Sequence, residues 1–175
     1  MFANPNKNIE ALQLFQGGIV ADLGAGTGAY SLSASKKVGP TGRIYAVDIQ
    51  RELLERLKSE ANRMHCNNID IIWGDLEHIG GTKLREHTVD AVILSNILFQ
   101  ITDKKTLIKE IKRILKKNGK VLLIDWNDSY GGLGPIGPSV VSARMAEALF
   151  AEQGFKKLEG VSAGAHHYGI IFTYE

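Results

Sequence analysis

Acidic and polar side chains stand at the ends of several short apolar runs. They are Asp22 in VADLGAGTG (20–28), Asp48 in AVDIQ (46–50), Asp75 in WGDLE (73–77), and Ser95 and Asn96 in SNILFQI (95–101). An ionised carboxylate only accepts hydrogen bonds, and its charge favours cationic or hydroxyl-bearing partners. Asp22 suits a cationic amino group, and Asp48 suits charge-assisted hydrogen bonds to two ribose hydroxyls. Asp75, after Gly74, is placed to accept from an adenine amino group. The turn Gly24-Ala25-Gly26-Thr27-Gly28 allows close approach of backbone to a ligand and opens a helix whose N-terminus points at it. Asp22 and Asp48 have no local turn to satisfy, which argues against a role as mere caps. Ile49 and Leu76 read equally well as ligand contacts or as core.

These residues need elements that bring them together. Ile19 to Leu23, Arg43 to Val47, Ile69 to Trp73, Val89 to Leu94 and Val121 to Asp125 read as strands. Between them, helices are expected over Ala29 to Val38, through Leu53, Leu54, Leu57, Ala61 and Met64, and from an N-cap at Thr102 down to a stop at Asn118-Gly119. A short helix is expected over Ile9 to Phe15, and another over Val140 to Gln153. Phe155 to Val161 and His167 to Tyr174 complete the strands. Alternating strands and helices give a parallel sheet. Only Ser162 to His166 separate the final pair, too few residues for a parallel crossover, so the seventh strand is expected to run antiparallel. There is no internal repeat or linker, and residues 1–175 are expected to form one domain.

Open sheets of this kind bind ligands at the carboxyl ends of their strands, near the point where strand order reverses. The glycine turn alone does not choose the ligand. Gly24, Gly26 and Ala29 also satisfy the dinucleotide fingerprint, and Asp48 would serve a nicotinamide cofactor's ribose. Asp22 is awkward beside a pyrophosphate, Asp75 adds another acidic strand end, and an antiparallel last strand has no place in the usual dinucleotide fold. Together these favour a sulfonium nucleoside cofactor. With KKNGKVLLIDW (116–126), the motifs resemble, in order and over nearly the whole chain, those of class I S-adenosylmethionine-dependent methyltransferases. The group nearest in pattern is that of the ubiquinone/menaquinone-biosynthesis and arsenite methyltransferases. The resemblance implies a Rossmann-like three-layer α/β sandwich, its seven-stranded, mostly parallel sheet ordered 3-2-1-4-5-7-6. It also implies that Asp22, Gly24 and Gly26 hold the methionine part and that Asp48 binds the ribose with Ile49 on the adenine. Asp75 and Leu76 would meet the adenine, and Ser95 and Asn96 the reacting centre. Ala25, Gly28 and Gly74 complete the cofactor-binding set.

Bulk properties exclude other classes. The 175 residues carry a net charge of +2, 44% are apolar and 23% charged, as in soluble globular domains. The lysines of the 104–117 segment are spread as on a solvated helix face, so nucleic acid is not an expected partner. The lone Cys66 excludes an intrachain disulfide and a thiol-based zinc site, no metal is expected, and no apolar run approaches the roughly 20 residues of a membrane span. Without a signal-peptide pattern, the expected location is cytoplasmic. SNILF departs from the N-P-P-[FY] signature of amino-group methyltransferases, and substrate-recognising insertions are largely absent. The acceptor is therefore expected to be a small molecule, unless another chain completes the site. Methyl transfer needs orientation more than a base. The candidates for a catalytic role are Tyr130, in the glycine-rich loop from Trp126 to Pro138, and His166 and His167 in the last hairpin. Because adjacent strand residues point to opposite faces, only one histidine can face the pocket. An oxidoreductase on a related fold and a non-catalytic cofactor-binding module are the alternatives.

Overall fold

Seven strands, β1 (Ile19–Leu23), β2 (Arg43–Asp48), β3 (Ile69–Trp73), β4 (Val89–Ser95), β5 (Leu115–Trp126), β6 (Lys156–Val161) and β7 (His167–Thr173), form one sheet. Its order is β3-β2-β1-β4-β5-β7-β6, as the resemblance implies. The computed structural model describes residues 4–129, 132 and 134–175. The first five strands run parallel, and β7 lies antiparallel between β5 and β6. The order reverses between β1 and β4, so the carboxyl ends of these two strands bound the crevice where such sheets bind ligands.

Both faces of the central strands are buried, which is why they read as continuous apolar runs. On one face Leu23, Leu94, Leu123 and Phe172 pack under α4 (Lys104–Ile114) and α5 (Ala143–Glu152). Phe150 of α5 stacks on Phe172 with ring centroids 4.3 Å apart. On the other face Val20, Ile93, Ile124 and Ile171 meet Ile9 and Leu12 together with Tyr30, Ala34 and Val38 of α2 (Ala29–Val38). The two-residue period sends Asp22 and Ser95 to this second face, and with them Trp126 and His167, one and two strands beyond β4.

Three local expectations differ. The first helix is α1 (Pro5–Glu10), not Ile9 to Phe15, because Asn4 caps it by accepting from the Lys7 N–H at 3.2 Å and Pro5 opens its first turn. Leu12 is still buried, whereas Phe15 is exposed. The cap of α4 is Asp103, whose carboxylate accepts from Thr106, rather than Thr102. The chain leaves α4 at Ile114 and enters β5 at Leu115, ahead of the predicted stop. Leu115 pairs with Val89 and is fully buried in the strand, so its apolar phase serves the sheet instead of the helix.

The long β3–β4 connection is held down by a buried acid. Glu110 of α4 is fully buried and accepts from Gly80 N–H at 2.8 Å, from the Thr82 hydroxyl, and from Arg113 Nε and Nη2, both at 2.7 Å. Burial works against its ionised form, but Arg113, Thr82 and Gly80 outweigh it and hold the carboxyl at about 2. Glu110→Ala strands a mostly buried guanidinium and two loop donors. Denaturant unfolding at neutral pH should show a loss of about 3–5 kcal/mol. A loss below about 1 kcal/mol would reduce the cluster to the weight of a surface ion pair.

Candidate functional site

The chain leaves β1 through a turn that only glycine accommodates at two points. Gly24 has φ +73°, and a Cβ there would lie 2.8 Å from the side chain of Ile97. Gly28 has φ +86°, and its Cβ would fall 2.0 Å from Leu57 Cδ1, inside the core. Gly24 and Ala25 donate their N–H groups to Val47 O at 2.8 and 3.0 Å, which ties the turn to the end of β2. Gly28 offers α2 no side-chain cap.

Asp22 supplies what Gly28 does not. Its carboxylate accepts from the Ser31 hydroxyl at 2.6 Å and from the Ser31 backbone, so it is in part a cap, a role its place in the sequence argues against. Only 2% exposed, it is pushed up to about 6 by burial, with the charge of Asp48 adding a little and Ser31 opposing. Asp48 is buried at the end of β2 and accepts from Gly26 N–H at 2.9 Å and Gln50 N–H at 2.8 Å. Each oxygen keeps a lone-pair site, since a carboxylate has about four.

Across the crevice, Asn96 stands just past β4 with φ 57°. Its N–H donates to Ile124 O at 2.8 Å and its carbonyl accepts from Gln100 Nε2 at 2.8 Å. Its side-chain Oδ1 is buried and has no partner among the described residues. A left-handed asparagine with an orphaned buried acceptor is a costly arrangement, of the kind that persists at ligand sites.

Asp22, Gly24, Ala25, Gly26, Asp48, Ile49, Ser95 and Asn96 line one cavity of about 340 Å³. Thr27, Tyr30, Gln50, Leu53, Ile97 and Gln100 share its wall and were not singled out from sequence. Tyr30 is the one with a readable signal, as it lies in the first turn of the helix that the glycine turn opens. Its hydroxyl accepts from Asn8 Nδ2 at 2.9 Å and is also bonded to Ser95. Gly28, Gly74, Asp75 and Leu76 stand outside the wall. A Cβ on Gly74 would lie 2.4 Å from Gly81 O, so this glycine serves a close backbone crossing. Asp75 accepts from Glu77 N–H at 2.9 Å and pairs with His78 at 2.9 Å, and Leu76 is core. A second cavity, of about 390 Å³, lies around Ser35 and Met64 to Asn68, at the opposite edge of the sheet.

Further along the carboxyl edge, Trp126 ends β5 beside His167 of β7, ring centroids 4.2 Å apart. His167 is 5% exposed, and neither ring nitrogen has a hydrogen-bond partner among the described residues. Burial lowers its pKa, with the neighbouring His166 contributing. His166, just before β7, meets Asp128 at 3.0 Å. Tyr130 lies outside the described residues. On the opposite face Asp125 and Tyr168 are cross-strand neighbours, and the buried Tyr168 hydroxyl is likewise without a partner among the described residues. The buried, unpartnered side-chain polar atoms found among the described residues, those of Asn96, His167 and Tyr168, thus all sit near the carboxyl ends of β4 and β5.

A parallel sheet with β7 inserted antiparallel, and a glycine turn and acidic strand ends at its switch point, defines a Rossmann-like fold of the methyltransferase kind. A SAM-dependent methyltransferase from Aquifex aeolicus superposes with a TM-score of 0.88 at 24% identity, covering 98% of this chain and 89% of that one. The sequence profile of the methyltransferase-domain family matches residues 14–163, and the chain belongs to that family. Among sequence relatives, the ubiquinone/menaquinone biosynthesis C-methyltransferase of Haemophilus ducreyi is 31% identical over 109 residues, 62% of this chain and 41% of that protein. The matched segments span 41%, 42% and 44% of the length of three curated relatives of this type. The [4+2]-cyclase SpnF shares the fold with a TM-score of 0.76 at 17% identity, covering 91% of this chain and 59% of that one. The fold thus hosts more than one reaction, and the function must be argued from the site. No helix among the described residues is long and apolar enough to cross a membrane.

Proposed function

We propose that the cleft at the ends of β1, β2 and β4 binds S-adenosylmethionine and that the chain transfers its methyl group to a small-molecule acceptor. The observation that carries this reading is the meeting, on one cavity wall, of Asp22, a buried carboxylate, with Asn96, whose buried Oδ1 has no partner among the described residues. A buried carboxylate with lone pairs left beyond its bonds to Ser31, beside an acceptor with no partner, suits a ligand that brings positive charge, as an amino-acid ammonium and a sulfonium do. A dinucleotide would set its pyrophosphate against the same carboxylate, where like charges repel.

Asp22 and the backbone of Gly24, Ala25 and Gly26 would hold the methionine part, with Gly28 turning the chain into α2. Asp48 has lone pairs left for the ribose hydroxyls, and the half-exposed Ile49 gives the adenine an apolar surface. Asp75, at the edge of that wall, would accept from the adenine amino group, while Gly74 and the core residue Leu76 would support it from behind. Ser95 and Asn96 would face the reacting centre. When bound, the cofactor supplies an activated methyl group, which passes in line to a nucleophile.

On the acceptor side the chain offers His167 rather than His166, which is engaged with Asp128. Neutral and buried, the His167 ring has a nitrogen able to accept the proton that an acceptor hydroxyl gives up. Tyr130 remains a candidate from the sequence alone. Hydroxylated aromatic compounds of the quinol type are the first acceptors to test, because relatives such as that of Haemophilus ducreyi are named for quinone methylation.

Titration calorimetry with S-adenosylmethionine, S-adenosylhomocysteine and NADH tests the cofactor. Heat of binding is expected for the two sulfur compounds and none for NADH; the reverse pattern overturns the reading. Methyl release over quinols, phenols, amines and thiols then distinguishes an enzyme from a binding module.

A further inference from the structure

Residues 96 to 103, between β4 and α4, form the wall of the cleft that carries Asn96 and Ile97, yet they include no regular element of their own. They are held from outside. Glu77, beyond β3, accepts from the backbone N–H groups of Thr102 and Asp103. From the other side, Asp125 of β5 accepts from Leu98 N–H at 3.0 Å and from its neighbour Trp126 N–H at 2.8 Å, and it is also bonded to the Phe99 backbone.

We propose that Asp125 is a positioning residue for cofactor binding: from the end of β5 it fixes the 96–100 segment against the glycine turn and sets the affinity of the cleft without lining it. The inference rests on the cofactor reading given above. Leu98 is fully buried, so without the carboxylate its N–H would be a donor with no acceptor, and the segment could keep its course only at that cost. One residue before Leu98, the Ile97 side chain fills the space over Gly24. Two residues before it, Asn96, which shares the cavity wall, has a positive φ and a buried Oδ1 without a partner among the described residues. A shift of the Leu98 amide therefore moves both the apolar contact to the glycine turn and the unpartnered acceptor.

A purely structural role would be served more cheaply. Asp125 is 1% exposed and is pushed up to about 6 by burial, against the pull of its three backbone donors and Lys104. An acceptor that strains to stay charged at the inner edge of a ligand site is retained where the charge is used, here to grip several amides of one wall at once. The same carboxylate bonds Trp126, the neighbour of His167. One side chain thus touches both the cofactor wall and the end of β5 at which Trp126 meets His167.

The test is Asp125→Asn in the full chain, with three readouts. S-adenosylhomocysteine should bind about tenfold to a hundredfold more weakly by calorimetry. Backbone amides of residues 97–100 should exchange faster with deuterium, while the thermal midpoint without ligand stays within a few degrees of the parent. Should this variant not fold, Ile97→Ala loosens the same wall without touching the carboxylate and should weaken binding in the same direction. A folded Asp125→Asn that binds S-adenosylhomocysteine within twofold of the parent, with unaltered exchange at 97–100, overturns the proposal. So does an Ile97→Ala that leaves affinity unchanged. Failure of the parent itself to bind S-adenosylhomocysteine sinks the cofactor reading instead, which keeps the two separable.

Discussion

Asp22→Asn is expected to unfold at higher denaturant concentration than the parent at pH 7.5 while losing most of its affinity for S-adenosylhomocysteine. Asp22 is buried, and its carboxyl is raised from 3.8 to about 6, chiefly by loss of water. Such a group binds its proton more tightly in the folded chain than in the unfolded one. Its stabilising effect is complete below about pH 4 and is lost as pH rises through about 6. The difference corresponds to about 3 kcal/mol forfeited at neutral pH. Asparagine carries no charge to bury and can still bond the Ser31 hydroxyl, which rotates to suit. The variant should recover about 1–2 kcal/mol of that cost. Its stability should also fall less steeply between pH 4 and 7 than the parent's. Some slope remains, because Asp125 is raised to about 6 by the same cause and titrates in the same window. A variant less stable than the parent at pH 7.5, with an unchanged slope, contradicts the account of Asp22. Stability gained together with binding lost is the signature of a carboxylate kept for its ligand.

The second large effect is expected at Asp48. Asp48→Ala removes the acceptor for Gly26 N–H and Gln50 N–H and the lone pairs assigned to the ribose. Hydrogen bonds to a charged group contribute about 1.5–3 kcal/mol each, so binding of S-adenosylhomocysteine should weaken by about a hundredfold or more. Asp48→Asn, which keeps one acceptor oxygen, should fall between alanine and the parent. Calorimetry on the three proteins gives the order directly, and an alanine variant that binds like the parent would falsify the ribose assignment.

The parts of this molecule that could be read from sequence are those set by period and topology. Continuous apolar runs announced strands buried on both faces, and a link of a few residues before His167 required β7 to be antiparallel. Once strands are known, their carboxyl ends collect Asp22, Asp48, Ser95 and Asn96 with no further information. What escaped depends on where one element hands over to the next. The helical phase of Leu107 to Leu115 hid the change to β5 at Leu115, since an apolar residue suits either element there. Ile97 and Gln100 entered the cavity wall through the positive φ of Asn96, a conformation that asparagine permits but does not announce. Alternation required one histidine to face inward. Only the register of Trp126 opposite His167 says which. The grip of Asp125 on Leu98 spans 27 positions and has no local trace.

The placement of β7 between β5 and β6 also bears on how this site could be changed. The cofactor cleft is lined by residues from Asp22 to Gln100, whereas His167 reaches the carboxyl edge through a hairpin that joins the rest of the sheet along one side of β5. On the reading proposed here, nucleoside binding and acceptor choice then reside in separable blocks of chain. Exchange of the 156–173 hairpin alone, by recombination or in the laboratory, would then retarget the chain while the nucleoside-binding part of the site stays intact.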